Sequence, residues 1–182
     1  MFNSIDMKRA NIFLCLALVV GCGHSNQKPP MPTDKEKQEL EAIDQVIAQV
    51  FEAICFTQEE GPNMHRMTEL FVKEGLLINY NEEEPLILPV DQFVKHFEQM
   101  AADGIIPSLE DKELKHETRV YDRVAHRFSF YEARFKPHEA PFARGVNSIQ
   151  LIKTEQGWKL TSMAWNDDNR DDGFFDRVMG LK

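Results

Sequence analysis

The chain has 182 residues, with 30 acidic side chains against 21 Lys and Arg and a formal charge of −9. That balance excludes the basic face that nucleic-acid phosphates demand, and it excludes adhesion to anionic lipid by charge. The length suits one domain with a sizeable core; of the three cysteines, Cys15 falls in the N-terminal apolar run and Cys22 just after it, which leaves Cys55 alone and offers no internal disulfide.

In chain order, Lys8-Arg9 precede the apolar run Ile12 to Val20, and Gly21-Cys22 follow. A basic pair, about ten apolar residues and a small residue make a secretory signal, too short for a membrane span. A cysteine directly after Val19-Val20-Gly21 resembles the bacterial lipoprotein cleavage box. The resemblance implies a signal peptide over residues 1–21, acylation of Cys22 and attachment to a membrane of the bacterial cell envelope. Gly23 in place of an aspartate after the cysteine favours the outer membrane where there are two. One acyl chain binds only marginally, so stable anchoring requires two or more. The alternatives are an ordinary signal peptide with Cys22 incidental to the cut, and an uncleaved apolar tail. Loss of residues 1–21 shifts the formal charge to −10. Residues 22–33 are polar and proline-rich (Lys28-Pro29-Pro30-Met31-Pro32) and read as a semi-extended tether.

Thr33 and Glu36 have capping-box spacing, and Leu40, Ile43, Ile47, Val50, Phe51 and Ile54 recur on one helical face. Cys55 continues that apolar stripe and reads as a small buried hydrophobe rather than a nucleophile. Gly61-Pro62-Asn63 breaks the helix, and Asn63 could cap a second, with Met64, Met67, Leu70 and Phe71 inward and Gly75 at its end. Leu76 to Tyr80 predicts a short strand, and Asn81 to Glu84 an acidic turn. Asp91 could cap a third helix carrying Phe93, Val94, Phe97 and Met100, closed near Gly104. From Glu117 to Phe135 the chain is β-branched and aromatic with a turn near Asp122-Arg123. Phe142 to Thr154, the turn Glu155-Gln156-Gly157 and Trp158 to Trp165 form a hairpin. Phe174 to Met179 reads as a last helical turn. Strands follow helices rather than alternating with them, which predicts α+β with an antiparallel sheet.

Three helices followed by a meander of long strands, with Tyr131-Glu132-Ala133-Arg134, then Arg144 to Leu151, Gly157-Trp158-Lys159-Leu160 and Trp165, resemble bacterial members of the nuclear transport factor two-like (SnoaL-like) superfamily. The resemblance covers roughly residues 36–166. It implies a curved antiparallel sheet wrapped around three helices over residues 34–166, forming a cone whose open end can hold a small apolar ligand. Residues 167–182 are then an acidic C-terminal tail. It implies no particular activity, because the fold hosts unrelated functions.

The candidate pocket residues are Tyr80, Tyr131, Arg134, Asn147, Trp165 and His126, the polar and aromatic groups available on the sheet. Alternation places Asn147 with Ile149 and Leu151 on one face, so Asn147 points into the cone or else satisfies backbone groups near a bulge at Gly145. His126 alternates with Phe128 and Phe130 and belongs either to acid–base chemistry or to a packed or dimer face. An isomerase-type enzyme needs a carboxylate raised towards neutral pKa beside a hydrogen-bond donor. Glu132 is the one strand carboxylate with a chance of pointing inward, and an exposed strand glutamate is its commoner reading; Asp91 reads as a cap and Asp122 as a turn. The run Asp167-Asp168-Asn169-Arg170-Asp171-Asp172-Gly173 lacks the glycine and closing glutamate of a calcium loop. No histidine pair has ligand spacing and no phosphate loop appears, so neither metal nor cofactor is expected.

The expectation is a membrane-anchored envelope lipoprotein whose cone binds a small apolar ligand or a protein, without a recognisable catalytic set. The alternative is a SnoaL-like enzyme acting on a small hydrophobic carbonyl compound. A third reading is a structural lipoprotein that dimerises through its sheet. The expected partners are a membrane through Cys22, a small apolar ligand and a second copy, and not nucleic acid.

Overall fold

The structure, a computed structural model, describes residues 32–81, 83–168 and 173–180. The leader, most of the tether and the expected lipidation site Cys22 lie outside the described residues, as do Glu82 and residues 169–172 of the acidic stretch.

The first helix, α1 (Asp34–Ile54), starts where its capping box predicts: Thr33 and Glu36 satisfy each other's backbone amides. Ile43, Ile47 and Val50 turn inward and are at most 1% exposed, each contributing about 1.5–3 kcal/mol by burial. Glu39 fastens this helix to the sheet by accepting from Trp158 Nε1 (2.9 Å) and Lys153 Nζ.

Helix α2 (His65–Leu70) is shorter than its sequence suggests. It begins after Met64 with no side-chain cap, so Asn63 does not serve as one. Phe71 already belongs to strand β1 (Phe71–Asn79). Gly75 therefore sits inside a strand rather than ending a helix. The register with the neighbouring strand slips between Phe71 and Leu76, and a Cβ on Gly75 would lie 2.7 Å from the Phe71 ring. A four-residue strand β2 (Leu86–Pro89), unforeseen in the sequence, returns along β1. Helix α3 (Val90–Ala102) follows at once, with Pro89 at the cap position. Asp91 is instead a first-turn acid that favours the positive end of the helix. Phe93, Val94 and Phe97 are buried as predicted.

Four long strands then run up and down: β3 (Glu110–Tyr121), β4 (Val124–Arg134), β5 (Ala143–Thr154) and β6 (Gly157–Asp167). Asp122 takes a positive φ of 51° in the β3–β4 turn, and Gly157 takes 101° in the β5–β6 turn, where any Cβ would be strained. The six strands form one curved, unclosed sheet in the order β2-β1-β6-β5-β4-β3. All neighbours are antiparallel except β1 and β6, which run parallel, so the sheet is mixed at that one seam.

The odd-numbered residues of β4 and β5 face the helices, among them Tyr131, Asn147, Ile149 and Leu151, all at most 5% exposed. The even-numbered ones face away. A short last helix, α4 (Phe174–Met179), covers part of that far face by placing Phe175 against Phe130 at a ring separation of 6.1 Å. No helix among the described residues is long and apolar enough to cross a membrane.

Candidate functional site

Between α3, the β1–β2 hairpin and the inner face of β3 to β6 lies a cavity of about 300 Å³. Phe93, Phe97, Met100, Leu77 and Trp165 give it an apolar wall. Its polar groups come from matched rows across the strands. In one row Tyr131, Gly145 and Asp167 stand opposite one another on β4, β5 and β6. Glycine in the middle is what lets the outer two meet. The Tyr131 hydroxyl passes over Gly145 and donates to Asp167 Oδ1. A Cβ on Gly145 would lie 2.7 Å from that hydroxyl and would collide with the Asn166 carbonyl oxygen. Asn81 completes the clasp: its Nδ2 donates to Asp167 Oδ2 (2.9 Å), and the Asp167 amide donates to its Oδ1 (2.8 Å). Burial and the bond to Asp167 hold the Tyr131 phenol well above its ordinary pKa.

The next row places Ser129, Asn147 and Trp165 side by side. On the opposite side of the Tyr131 row, Asp111 at the start of β3 pairs in register with Ala133. Three buried side-chain polar atoms among the described residues lack a hydrogen-bond partner, namely Asp111 Oδ1, Ser129 Oγ and Asn147 Nδ2. All three belong to the inner face. Asp111 and Asn147 line the cavity, while Ser129 lies outside its lining in the Asn147 row. Native interiors satisfy nearly all such atoms, so the two in the cavity wall are the groups open to a polar ligand atom. Burial pushes the Asp111 carboxyl up to about 7, the charge of Asp167 adds to the rise, and the Lys112 amide opposes it. A carboxyl poised there can give or take a proton at neutral pH, while the Asn147 amide can only donate a hydrogen bond through Nδ2.

The six residues proposed from the sequence divide by the parity of their strand positions. Tyr131, Asn147 and Trp165 line the cavity. His126 and Arg134 are even-numbered on β4 and lie on the far face. His126 contacts Ser148 Oγ (3.1 Å) and the Phe128 ring at 4.4 Å. Arg134 pairs with Glu132 and donates to the Glu139 carbonyl (2.8 Å). Tyr80 lies just past β1, 49% exposed, because Leu77 and Asn79 take the inward positions of that strand. Glu132 is buried, but on the far face, between Arg134 and Arg144. The inward carboxyls are Asp111 and Asp167. The first was hidden in the charged run Glu110-Asp111-Lys112-Glu113, and the second had been given to the acidic tail, although it is the last residue of β6. Counting the antiparallel register back from the Asp122 turn sets Asp111 opposite Arg134, on the far-face parity; the irregularity between Glu113 and Lys115 shifts it by one residue to face Ala133 and turns it inward.

Two other features compete for attention. A wider, open depression near Thr68, Lys73, Asp91 and Lys159 holds none of the unpartnered buried atoms. Further along the inner face, Arg127 is sealed among Glu113, Asp44, Thr118 and His116. No group of three or more His, Cys, Asp or Glu among the described residues is placed to hold a metal ion.

No protein-family model matches the chain, and no curated protein matches it. Solved structures do. A protein of unknown function from Mycobacterium tuberculosis shares 13% identity at a TM-score of 0.62, over 80% of this chain and 81% of that one. An NTF2-like protein of unknown function from Shewanella baltica shares 13% identity at a TM-score of 0.53, over 77% of this chain and 100% of the other. A protein labelled as a candidate ketosteroid isomerase from Shewanella frigidimarina shares 19% identity at a TM-score of 0.50, over 68% of this chain and 94% of that one. At these identities the likeness establishes architecture alone: the chain has an α+β, nuclear transport factor two-like fold.

Proposed function

We propose that the cavity binds a small, mostly apolar carbonyl compound and that Asp111 moves a proton to or from the carbon beside its carbonyl. The single observation behind this reading is a half-buried carboxyl with one buried, unpartnered oxygen in the wall of an apolar cavity, its pKa pushed up to about 7. A cavity that only stores an apolar ligand has no use for such a group, which costs stability wherever it ionises. Asn147 Nδ2, two strands and two inward rows from Asp111, donates in this reading to a polar group elsewhere on the ligand. Tyr131 is committed to Asp167 and serves as a rigid part of the wall. The isomerase label on one structural neighbour agrees with this chemistry without carrying it.

The test is solvent deuterium exchange into the α-carbon of small apolar ketones and enones, followed by proton NMR. The wild-type protein is expected to speed exchange, and Asp111→Asn to slow it by about 100-fold or more. Saturable binding with no exchange would overturn the acid–base reading in favour of a carrier.

The leader supports a second, separate proposal. Lys8-Arg9, the apolar run and Cys22 favour a lipid-anchored protein of the bacterial envelope. Fatty-acid labelling in cells that is lost in Cys22→Ser is the expected result. Equal labelling of both, or of neither, removes the anchor.

A further inference from the structure

The geometry points to Cys55 as a positioning residue for Asp111, its thiol standing in for a missing neighbour strand. This rests on the acid–base reading of Asp111. β3 is the last strand of the sheet, so its outer edge has no strand beside it. Unpaired edge groups must find other partners or water. The chain leaving α1 supplies them. Phe56 and Leu109 exchange both backbone hydrogen bonds at 2.9 Å, a single antiparallel bridge just before β3 begins. Two residues further along that edge, at Asp111, the ladder continues through a side chain. The Asp111 amide donates to Cys55 Sγ (3.1 Å), and Cys55 Sγ donates to the Asp111 carbonyl (3.4 Å).

In a strand the N–H and C=O of one residue point to the same side, and one atom that both accepts and donates can close them together. A thiol does so only while protonated. Burial, with Asp111 and Glu110 nearby, pushes the Cys55 thiol pKa up, which keeps the proton in place. The latch therefore fixes the backbone of Asp111 from the edge while its carboxyl turns one buried oxygen into the cavity wall. Released, the edge would take water, and water would reach the carboxyl. The titratable groups around Asp111 among the described residues are Tyr131 from β4, Asp167 from β6 and His96 from α3 in the cavity, Glu110, Lys112, Glu113 and His116 on β3, and Cys55 with Asp44, Glu52 and Arg127 in the depression on the α1 side.

The experiment is a carbon-13 carboxyl NMR titration of Asp111 in the full chain, comparing wild type with Cys55→Ser and Cys55→Val. Serine keeps a group that both donates and accepts; valine fills the space and does neither. The wild-type midpoint is expected near 7, the serine variant close to it, and the valine variant lower by about one unit or more as solvation returns. A folded valine variant with the wild-type midpoint overturns the positioning role and leaves the acid–base reading intact. A wild-type midpoint in the ordinary carboxylate range overturns the acid–base reading itself. Should the valine variant fail to fold, hydrogen exchange at the Asp111 amide decides: protection in wild type that persists in Cys55→Ser supports the latch, and an unprotected wild-type amide overturns it.

Discussion

Two of the places where the inner face of the sheet buries ionisable groups are opposites. At one, Arg127 is 2% exposed and every guanidinium N–H is used. Nε reaches Glu113 Oε1 (2.9 Å), Nη1 reaches Asp44 (2.5 Å) and Thr118 (3.2 Å), and Nη2 reaches Glu113 Oε2 and His116 Nδ1 (2.8 Å). At the other, Asp111 holds a buried, unpartnered oxygen, and Asn147, two strands away in the same cavity wall, has an unpartnered amide nitrogen. Both sit on β3 or β4 facing α1 or the cavity beside it. The difference teaches where to look for chemistry. A buried charge with its full set of partners is held in one state and belongs to the architecture. A buried group without partners is held between two states and is available to a ligand.

That contrast breaks first at Arg127. Arg127→Met leaves Glu113, only 18% exposed, without its cation. Orphaning a buried partner costs about 3–5 kcal/mol, readable as a lower urea midpoint. Asp44 is half exposed and adds little. Combining Arg127→Met with Glu113→Leu should recover most of the loss, since an apolar pair of similar volume needs no partner. Were the double variant as unstable as the single, the cluster would hold the fold by something beyond mutual pairing.

Asp111 predicts the reverse sign. Its folded pKa of about 7 lies above the unfolded value near 3.9, so the folded state holds the proton more tightly. The stability this contributes is complete below a pH of about 4, falls by about 1.4 kcal/mol per pH unit, and is gone once the pH passes about 7. Asp111→Asn cannot titrate and should flatten that slope. Around pH 8 the variant is expected to be more stable than wild type by up to about 4 kcal/mol, about 1.4 kcal/mol over each of about three units. A wild-type profile already flat between pH 4 and 7 would place Asp111 with the satisfied groups and erase the comparison.

Gly145 tests the row between Tyr131 and Asp167. Gly145→Ala drives a methyl group against the Tyr131 hydroxyl and the Asn166 carbonyl. Overpacking of this kind costs about 1–3 kcal/mol, and the Tyr131 to Asp167 bond should go with it. A melting temperature unchanged in this variant would mean that the row relaxes freely and is not a rigid wall.

How much of this was legible beforehand depends on whether each residue's neighbours in sequence are also its neighbours in space. α1 announces itself by a capping box and an unbroken stripe. The β5–β6 hairpin does so by alternation around Gly157, whose positive φ only glycine adopts easily. Tyr131, Asn147 and Trp165 could be chosen by residue type. Parity then separates them from His126 and Arg134, but parity needs a register, and Phe128 and Phe130 made the far face look as apolar as the near one. Phe130 is covered by Phe175 of α4, 45 residues later in the chain. Asp111 was the hardest to see. Its segment, Glu110-Asp111-Lys112-Glu113, carries the composition of a solvated loop. It becomes a strand only because β4 lies on one side and the chain at Cys55 and Phe56 on the other. Gly75 misled for a related reason: a glycine after a helical stripe normally ends it, but here β1 had begun four residues earlier and needed a bulge.

The smallest expected effect is also the one that assigns the proton. Tyr131→Phe removes a single hydroxyl whose partner, Asp167, keeps the Asn81 bonds, so the loss of stability should be about 1 kcal/mol. The ring still fills its place in the wall. With the Tyr131 proton pledged to Asp167 and its pKa raised by burial, the phenol is a poor acid towards any ligand. Deuterium exchange in Tyr131→Phe should therefore fall less than about 10-fold, against about 100-fold or more for Asp111→Asn. The opposite ranking, Tyr131→Phe crippled and Asp111→Asn active, would move the chemistry from the unpartnered carboxyl to the clasped one. A group with its partners in place would then be the functional one, and satisfaction of hydrogen bonds would no longer separate architecture from chemistry in this protein.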